Sequence, residues 1–258
     1  MRREHEHVRM TVSAGTASPV ATATRPARAA EGPAASAFTL IELLVVIAIL
    51  TLLMSMLLPG VAKAKKLAQR TVCLAHLHGV GQAAMLYAAD NKEFVPWGNR
   101  VIWFQAFLPY VSSGPRVTDY RQVGIYRCPS FPDKRQTVCF VGSAWAFNGV
   151  TDKTGHSYDS PRSLRDFERP ASTLYLTDNE YGPWRQIITS AGSHELSRQD
   201  VWTPGHLPTS TSQDITHGRR VARDRHFDGC NGMFLDGHSA WIRAASMTVE
   251  MWRDRWRR

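Results

Sequence analysis

Residues Phe38–Leu58 read FTLIELLVVIAILTLLMSMLL, and the rest of the chain is understood from this stretch outward. Of its 21 residues, only Thr39, Glu42, Thr51 and Ser55 are not hydrocarbon or thioether. Wound as an α-helix it spans roughly 31 Å, close to the hydrocarbon core of a bilayer. Glu42 is the odd member. A carboxylate placed in lipid costs a few kcal/mol, so it needs a partner or a task. The plainer reading is a signal anchor that tolerates one acid near its end.

Ala37-Phe38-Thr39-Leu40-Ile41-Glu42-Leu43-Leu44-Val45-Val46-Ile47 resembles the cleavage and methylation segment of type IV prepilins and type II secretion pseudopilins. The resemblance implies that a prepilin peptidase cuts between Ala37 and Phe38 and methylates the new amine. It also implies that Glu42 pairs with the amine of a neighbouring subunit during assembly, so that one buried charge meets its opposite from another chain. Pro59 falls at the twenty-second position counted from Phe38, where such helices often carry a kinking proline. The family usually has Gly before the cut; Ala37 departs from that pattern with a side chain one methyl larger.

The full chain has 258 residues, enough for one ordinary domain with appendages, and its hydrophobic content of 43% excludes a wholly disordered protein. The net charge of +9 is scattered and comes with no helix-turn-helix, zinc-finger or RNA-binding signature, so no nucleic-acid partner is expected. Four cysteines, Cys73, Cys128, Cys139 and Cys230, permit two disulfides in an exported domain, one bridge with two free thiols, or structural thiols alone. Cys128 and Cys139 would close a short loop and are the first disulfide to expect.

Residues 1–37 read as a leader, rich in Ala, Thr, Arg and Pro without apolar periodicity, and either Met1 or Met10 can be its start. Lys63, Lys65, Lys66 and Arg70 after the span outnumber Arg25 and Arg28 before it, so a positive-inside count puts the C-terminal part in the cytoplasm. The prepilin resemblance implies the reverse, with the leader cytoplasmic and the head outside the bacterial inner membrane, and this is the expectation adopted. Residues 59–92 continue the helix: Leu67, Leu74, Leu77, Val80, Ala84 and Tyr87 recur at spacings of 3, 4 and 7. Gly79 and Gly81 weaken its middle and invite close packing. Residues 93–258 read as an α+β head with a small antiparallel sheet. Trp103–Leu108 reads as a short helix, Val138–Val141 and Ala144–Asn148 as short strands or loop-anchored aromatics, Thr173–Asp178 as the best strand, and residues 182–225 as a long polar insertion or loop. The segment beginning at Cys73, and Cys128-Pro129 beyond it, also resemble elements of one pseudopilin-like group.

Near the C-terminus, Asp236-Gly237 between GMFL and HSAWI is a two-residue hairpin signal. A type I′ turn there sets Leu235 opposite His238, Phe234 opposite Ser239, Met233 opposite Ala240 and Gly232 opposite Trp241. His226, nine intervening residues before Asp236, resembles with Asp236 and Gly237 the H-X9-DG motif of many prepilin-like proteins. A hydrolase or zinc reading would recruit His194, Glu195, His206, His217, Asp224, His226, Asp228, Asp236 and His238, but no HExxH or GxSxG organises them. The simpler reading is that His226 locks the hairpin and Asp236 serves its turn. Related major pseudopilins hold calcium through carboxylates and carbonyls, which implies Asp178, Asp228 and Asp236 as oxygen ligands here.

The expectation is therefore a structural, non-enzymatic subunit that assembles through its N-terminal helix into a type II secretion or type IV pilus-like filament. The resemblance implies prepilin peptidase, other pilin or pseudopilin subunits and an inner-membrane assembly platform as partners. The alternative is a membrane-tethered binding module for a glycan or surface ligand, favoured if Trp97, Trp103, Trp145, Trp184 and Trp202 line one exposed face.

Overall fold

A computed structural model describes residues 38–96, 102–111, 117–143, 163–185, 188, 200–201, 203–215 and 217–252. The leader with Ala37, the Ala144–Asn148 segment, His194, Glu195, Trp97, Trp145 and Trp202 lie outside them. The chain divides between Thr51 and Leu52 into two units, and the head belongs to the second.

Helix α1 (Leu40–Asp90) has 51 residues and includes Pro59. Its start is a capping box. Thr39 Oγ1 accepts from the Glu42 N–H at 3.2 Å, and Glu42 Oε2 accepts from the Thr39 N–H at 2.9 Å and from the Thr39 hydroxyl at 2.7 Å. The remaining polar groups of the apolar stretch are satisfied within the helix: Thr51 donates to Ala48 O and Ser55 to Leu52 O. The large apolar side chains from Leu40 to Leu58 are 46–80% exposed. The most apolar window of α1 is long enough to cross a membrane and none of its residues is buried.

The C-terminal part of α1 is different. Cys73, Leu77, Val80, Gly81, Ala84 and Ala88 are buried along one face, while Leu74 and Tyr87 are half-buried. Leu67, expected on this face, is exposed, because the buried stripe begins only at Cys73. Past Asp90, Lys92 and Glu93 both take positive φ and turn the chain out of the helix.

The head is α+β. Short helices α2 (Trp103–Ala106) and α3 (Leu108–Val111) precede a five-stranded sheet. Its strands are β1 (Phe140–Ser143), β2 (Leu174–Asp178), β3 (Asp200–Val201), β4 (Gly229–Phe234) and β5 (Ser239–Arg243), in the order β3-β1-β2-β4-β5. The neighbours are antiparallel except β1 and β3, which run parallel.

Alternate residues of the strands feed two apolar clusters, so the inner strands are buried on both faces. Phe140, Tyr175 and Met233 join the α1 stripe, Phe104, Phe107 and Tyr126. Val141, Leu174 and Phe234 join Val201, Leu207, Val221 and Trp252. A register shift between Leu174 and Leu176 is what allows Tyr175 and Leu176, adjacent in sequence, to enter the same cluster.

Two expectations are corrected here. The polar stretch 182–225, expected as a long insertion, contributes to the core through its described residues. Ile188, Val201, Leu207, Val221 and Ala222 are buried, β3 extends the sheet, and Arg220 pairs with Asp200 at 2.7 Å with both side chains buried. Isolated apolar residues among many polar ones carry no periodic signal. The C-terminal hairpin is real, but its register is one residue from that expected: Met233 pairs with Ser239, Gly232 with Ala240 and Asn231 with Trp241. A type I′ turn needs positive φ at both Asp236 and Gly237, and of the two only Gly237 has it, at +88°. The loop is instead the three residues Leu235-Asp236-Gly237, closed by Phe234 N–H donating to His238 O at 2.9 Å. Leu235 is what the longer loop accommodates, since its side chain is buried and its N–H donates to Thr173 O.

Candidate functional site: an exposed apolar segment and a buried donor cluster

Two places in the chain combine chemistry with an environment that calls for explanation. The first is the start of α1. Phe38 is exposed, and Glu42 is held back against Thr39 by the capping box, so the carboxylate has a local task besides any intersubunit one. Gln at this position would keep the box while removing the charge.

The second place is a group of four side chains from four separate parts of the head unit. Cys73 comes from α1, Cys128 from the turn at Cys128-Pro129, Asp178 from the end of β2 and His226 from the bend before β4. One donor atom from each lies within 4.8 Å of all the others, and all four residues are buried. Cys73 Sγ is 3.3 Å from Asp178 Oδ1, Cys128 Sγ is 3.5 Å from His226 Nε2, and His226 Nε2 is 3.4 Å from Asp178 Oδ2.

Each donor is positioned by its own element. The Cys128 carbonyl accepts from the Phe131 N–H in the CP turn. Asp178 Oδ2 accepts from the Asn231 N–H at 2.7 Å, which ties it to β4. The His226 backbone donates to Gly229 O and accepts from Trp241 Nε1 at 2.9 Å, and the next residue, Phe227, takes a φ of +64°. Arg70, just before Cys73 on α1, lies over the rings of Phe227 and Trp241. Its carbonyl accepts from Asn231 Nδ2.

The electrostatics are those of acids taken out of water. Burial pushes the Asp178 carboxyl up to about 7 and the Cys73 thiol well above its ordinary range. Cys128 is held down to about 4, first by the Cys73 thiol hydrogen-bonding to it and then by the His226 ring beside it. Cys128 is therefore the sulfur of the pair that ionises first. His226 Nδ1 is buried and has no hydrogen-bond partner among the described residues.

The sequence-based site residues divide accordingly. All four cysteines are free thiols, so the expected Cys128–Cys139 disulfide is not formed; Cys128 faces Cys73 and His226 instead. The acids expected to hold calcium do not gather. Asp178 is in the cluster, exposed Asp228 pairs with Arg243 at 3.0 Å, and Asp236 accepts from its neighbour His238 in the hairpin loop. Asp236 and Gly237 do serve the turn, but the His226 ring does not bond it and points into the donor cluster. Of the tryptophans that would suit a ligand face, Trp103 is buried in the core and Trp184 is half-buried with Arg219 over its ring.

The hairpin loop meets α1 at Gly81. A β-carbon on Gly81 would sit 2.4 Å from the Gly237 carbonyl oxygen, so only glycine allows this approach. Gly79, by contrast, has ordinary space beside Ile125.

Comparison with known proteins bears on the first of these places. Residues 33–58 match the prokaryotic N-terminal methylation motif. Over 60 residues the chain is 42% identical to the type IV wide pilus major component PilA4 of Thermus thermophilus, an alignment covering 23% of this chain and 46% of that protein. The chain thus spans about half the length of this curated relative. No solved structure matches. The chain is prepilin-like in its N-terminal segment. Its apolar helix, with the same motif at its start, makes it a single-pass membrane-anchored protein.

Proposed function

We propose that this chain is a structural subunit of a type IV pilus-like or type II secretion filament. In this reading residues 1–37 are a leader that prepilin peptidase removes between Ala37 and Phe38, methylating the new amine. Residues 38–58 form the membrane and assembly segment, 59–92 carry the helix into the head, and 93–258 face away from the cytoplasm, across the inner membrane. Glu42 meets the Phe38 amine of a neighbouring subunit, Pro59 sits at the end of the packed segment, and an inner-membrane platform drives assembly. The observation that supports this most is the exposure of every large apolar side chain from Leu40 to Leu58 behind a methylation motif. That surface needs lipid or other helices to cover it.

The test is the N-terminus of the protein recovered from membranes with and without active prepilin peptidase, read by mass spectrometry. A methylated Phe38 that disappears with the peptidase is expected; an intact leader in both samples overturns the reading. Glu42→Gln separates the two tasks of this residue. The capping box survives, so helix content is expected to hold while incorporation into filaments is lost.

A further inference from the structure

We propose that Cys73, Cys128, Asp178 and His226 form a structural site for one zinc(II) ion that clamps α1 to the head. This goes beyond the filament reading and does not depend on it.

The distances carry the assignment. Zinc binds thiolate sulfur at about 2.3 Å and imidazole nitrogen or carboxylate oxygen at about 2.0–2.1 Å. A regular tetrahedron with those bonds puts sulfur roughly 3.5 Å from nitrogen or oxygen, and nitrogen roughly 3.3 Å from oxygen. The observed separations are 3.3 Å from Cys73 Sγ to Asp178 Oδ1, 3.5 Å from Cys128 Sγ to His226 Nε2 and 3.4 Å from His226 Nε2 to Asp178 Oδ2. They have the length of zinc-tetrahedron edges, with Asp178 turning one oxygen to Cys73 and the other to His226, and one donor atom from each of the four residues lies within 4.8 Å of the rest.

The chemistry of the donors narrows the ion. Two thiols with an imidazole select zinc among common divalent cations, whereas calcium takes six to eight oxygens. Four protein donors, all buried, leave no open position, which marks a structural rather than a catalytic centre. Charge agrees with this. Two thiolates and a carboxylate carry three negative charges, and zinc reduces the sum to one. The Arg225 guanidinium, whose field favours ionised Cys128 and Asp178, balances the remainder. The bond from the Asn231 N–H to Asp178 is the kind of outer contact that orients a ligand. The role left for His226 is that of the fourth ligand.

The experiment uses the full-length chain extracted in detergent under reducing conditions. Metal analysis is expected to find about one zinc per chain. A chelator should remove it, expose the Cys73 and Cys128 thiols to alkylation together, and lower the unfolding midpoint. Cobalt(II) added back should give the visible absorption of a tetrahedral cobalt–thiolate centre. His226→Phe should lose zinc, His226→Cys should regain it, and Cys230→Ser, which alters a buried thiol outside the cluster, should keep it. Wild-type protein that holds no zinc and takes up none when reduced and supplied with it overturns the proposal, whether or not a Cys73–Cys128 disulfide is found. Retention of zinc in both His226→Phe and Cys128→Ser overturns it as well.

Discussion

The first and last thirds of α1 are one helix in two different situations. From Leu40 to Leu58 the composition is almost wholly apolar, and none of the large side chains is covered by the protein. From Cys73 to Ala88 the composition is mixed, and a single stripe of Cys, Leu, Val, Gly and Ala is fully buried. Hydrophobicity alone does not therefore say where a helix packs. The segment apolar all round needs a solvent or partner from outside the chain, whereas the amphipathic one has found its partner within it. The two acids near these segments follow the same division. Glu42 is satisfied three residues away, by Thr39, while Asp178 meets Cys73 across 105 positions of sequence.

The largest expected effect that would break this comparison is a pair of truncations. Leu77→Ala removes a fully buried side chain and should destabilise the head by about 2–5 kcal/mol in thermal or denaturant unfolding. Leu52→Ala, with its side chain 59% exposed, should shift the same transition by no more than about 0.5 kcal/mol. Similar losses at both positions would mean that the apolar segment packs on its own chain. A charge in that segment reverses the asymmetry. Val46→Arg should disfavour membrane insertion by about 2.5–3.5 kcal/mol, releasing protein in carbonate extraction, while the unfolding of the head is unchanged. The smallest and sharpest contrast lies between two glycines of α1. Gly81→Ala gains about 1 kcal/mol of helix propensity but forces a β-carbon against the Gly237 carbonyl, an overpacking of about 1–3 kcal/mol, so a net loss of stability is expected. Gly60→Ala has nothing within 4 Å and should show no loss.

Local signals were legible in the sequence and long-range ones were not. The Phe38–Leu58 span, the continuing helix, strand β2 and the existence of the C-terminal hairpin all follow from periodicity and composition within a short window. The hairpin's register was missed because Asp236-Gly237 suits a two-residue turn, and only the burial of Leu235 against the core selects three residues. The donor cluster is the clearer case. Cys73 opened one recognisable segment, Cys128 belonged to a CP element, Asp178 ended the best strand, and His226 began a spaced motif. Each was visible singly. Nothing in their spacing joins residues 98 and 105 positions apart, because the sheet order and the packing of α1 bring them together.

The same separations govern when the head can form. The Cys73 region of α1 is made early in synthesis, yet the Asn231 side chain that reaches back to Arg70 lies 161 positions later. Until that C-terminal hairpin exists, the buried stripe of α1 lacks Met233 and Leu235 from its cover and the Gly81 notch has no loop to receive. Such long loop closures are slow, and they leave an apolar surface open while the chain waits. The nascent polypeptide therefore depends on the late β4–β5 hairpin to finish covering a surface laid down within its first hundred residues, and chains stopped short of Phe234 should accumulate as sticky, protease-sensitive intermediates.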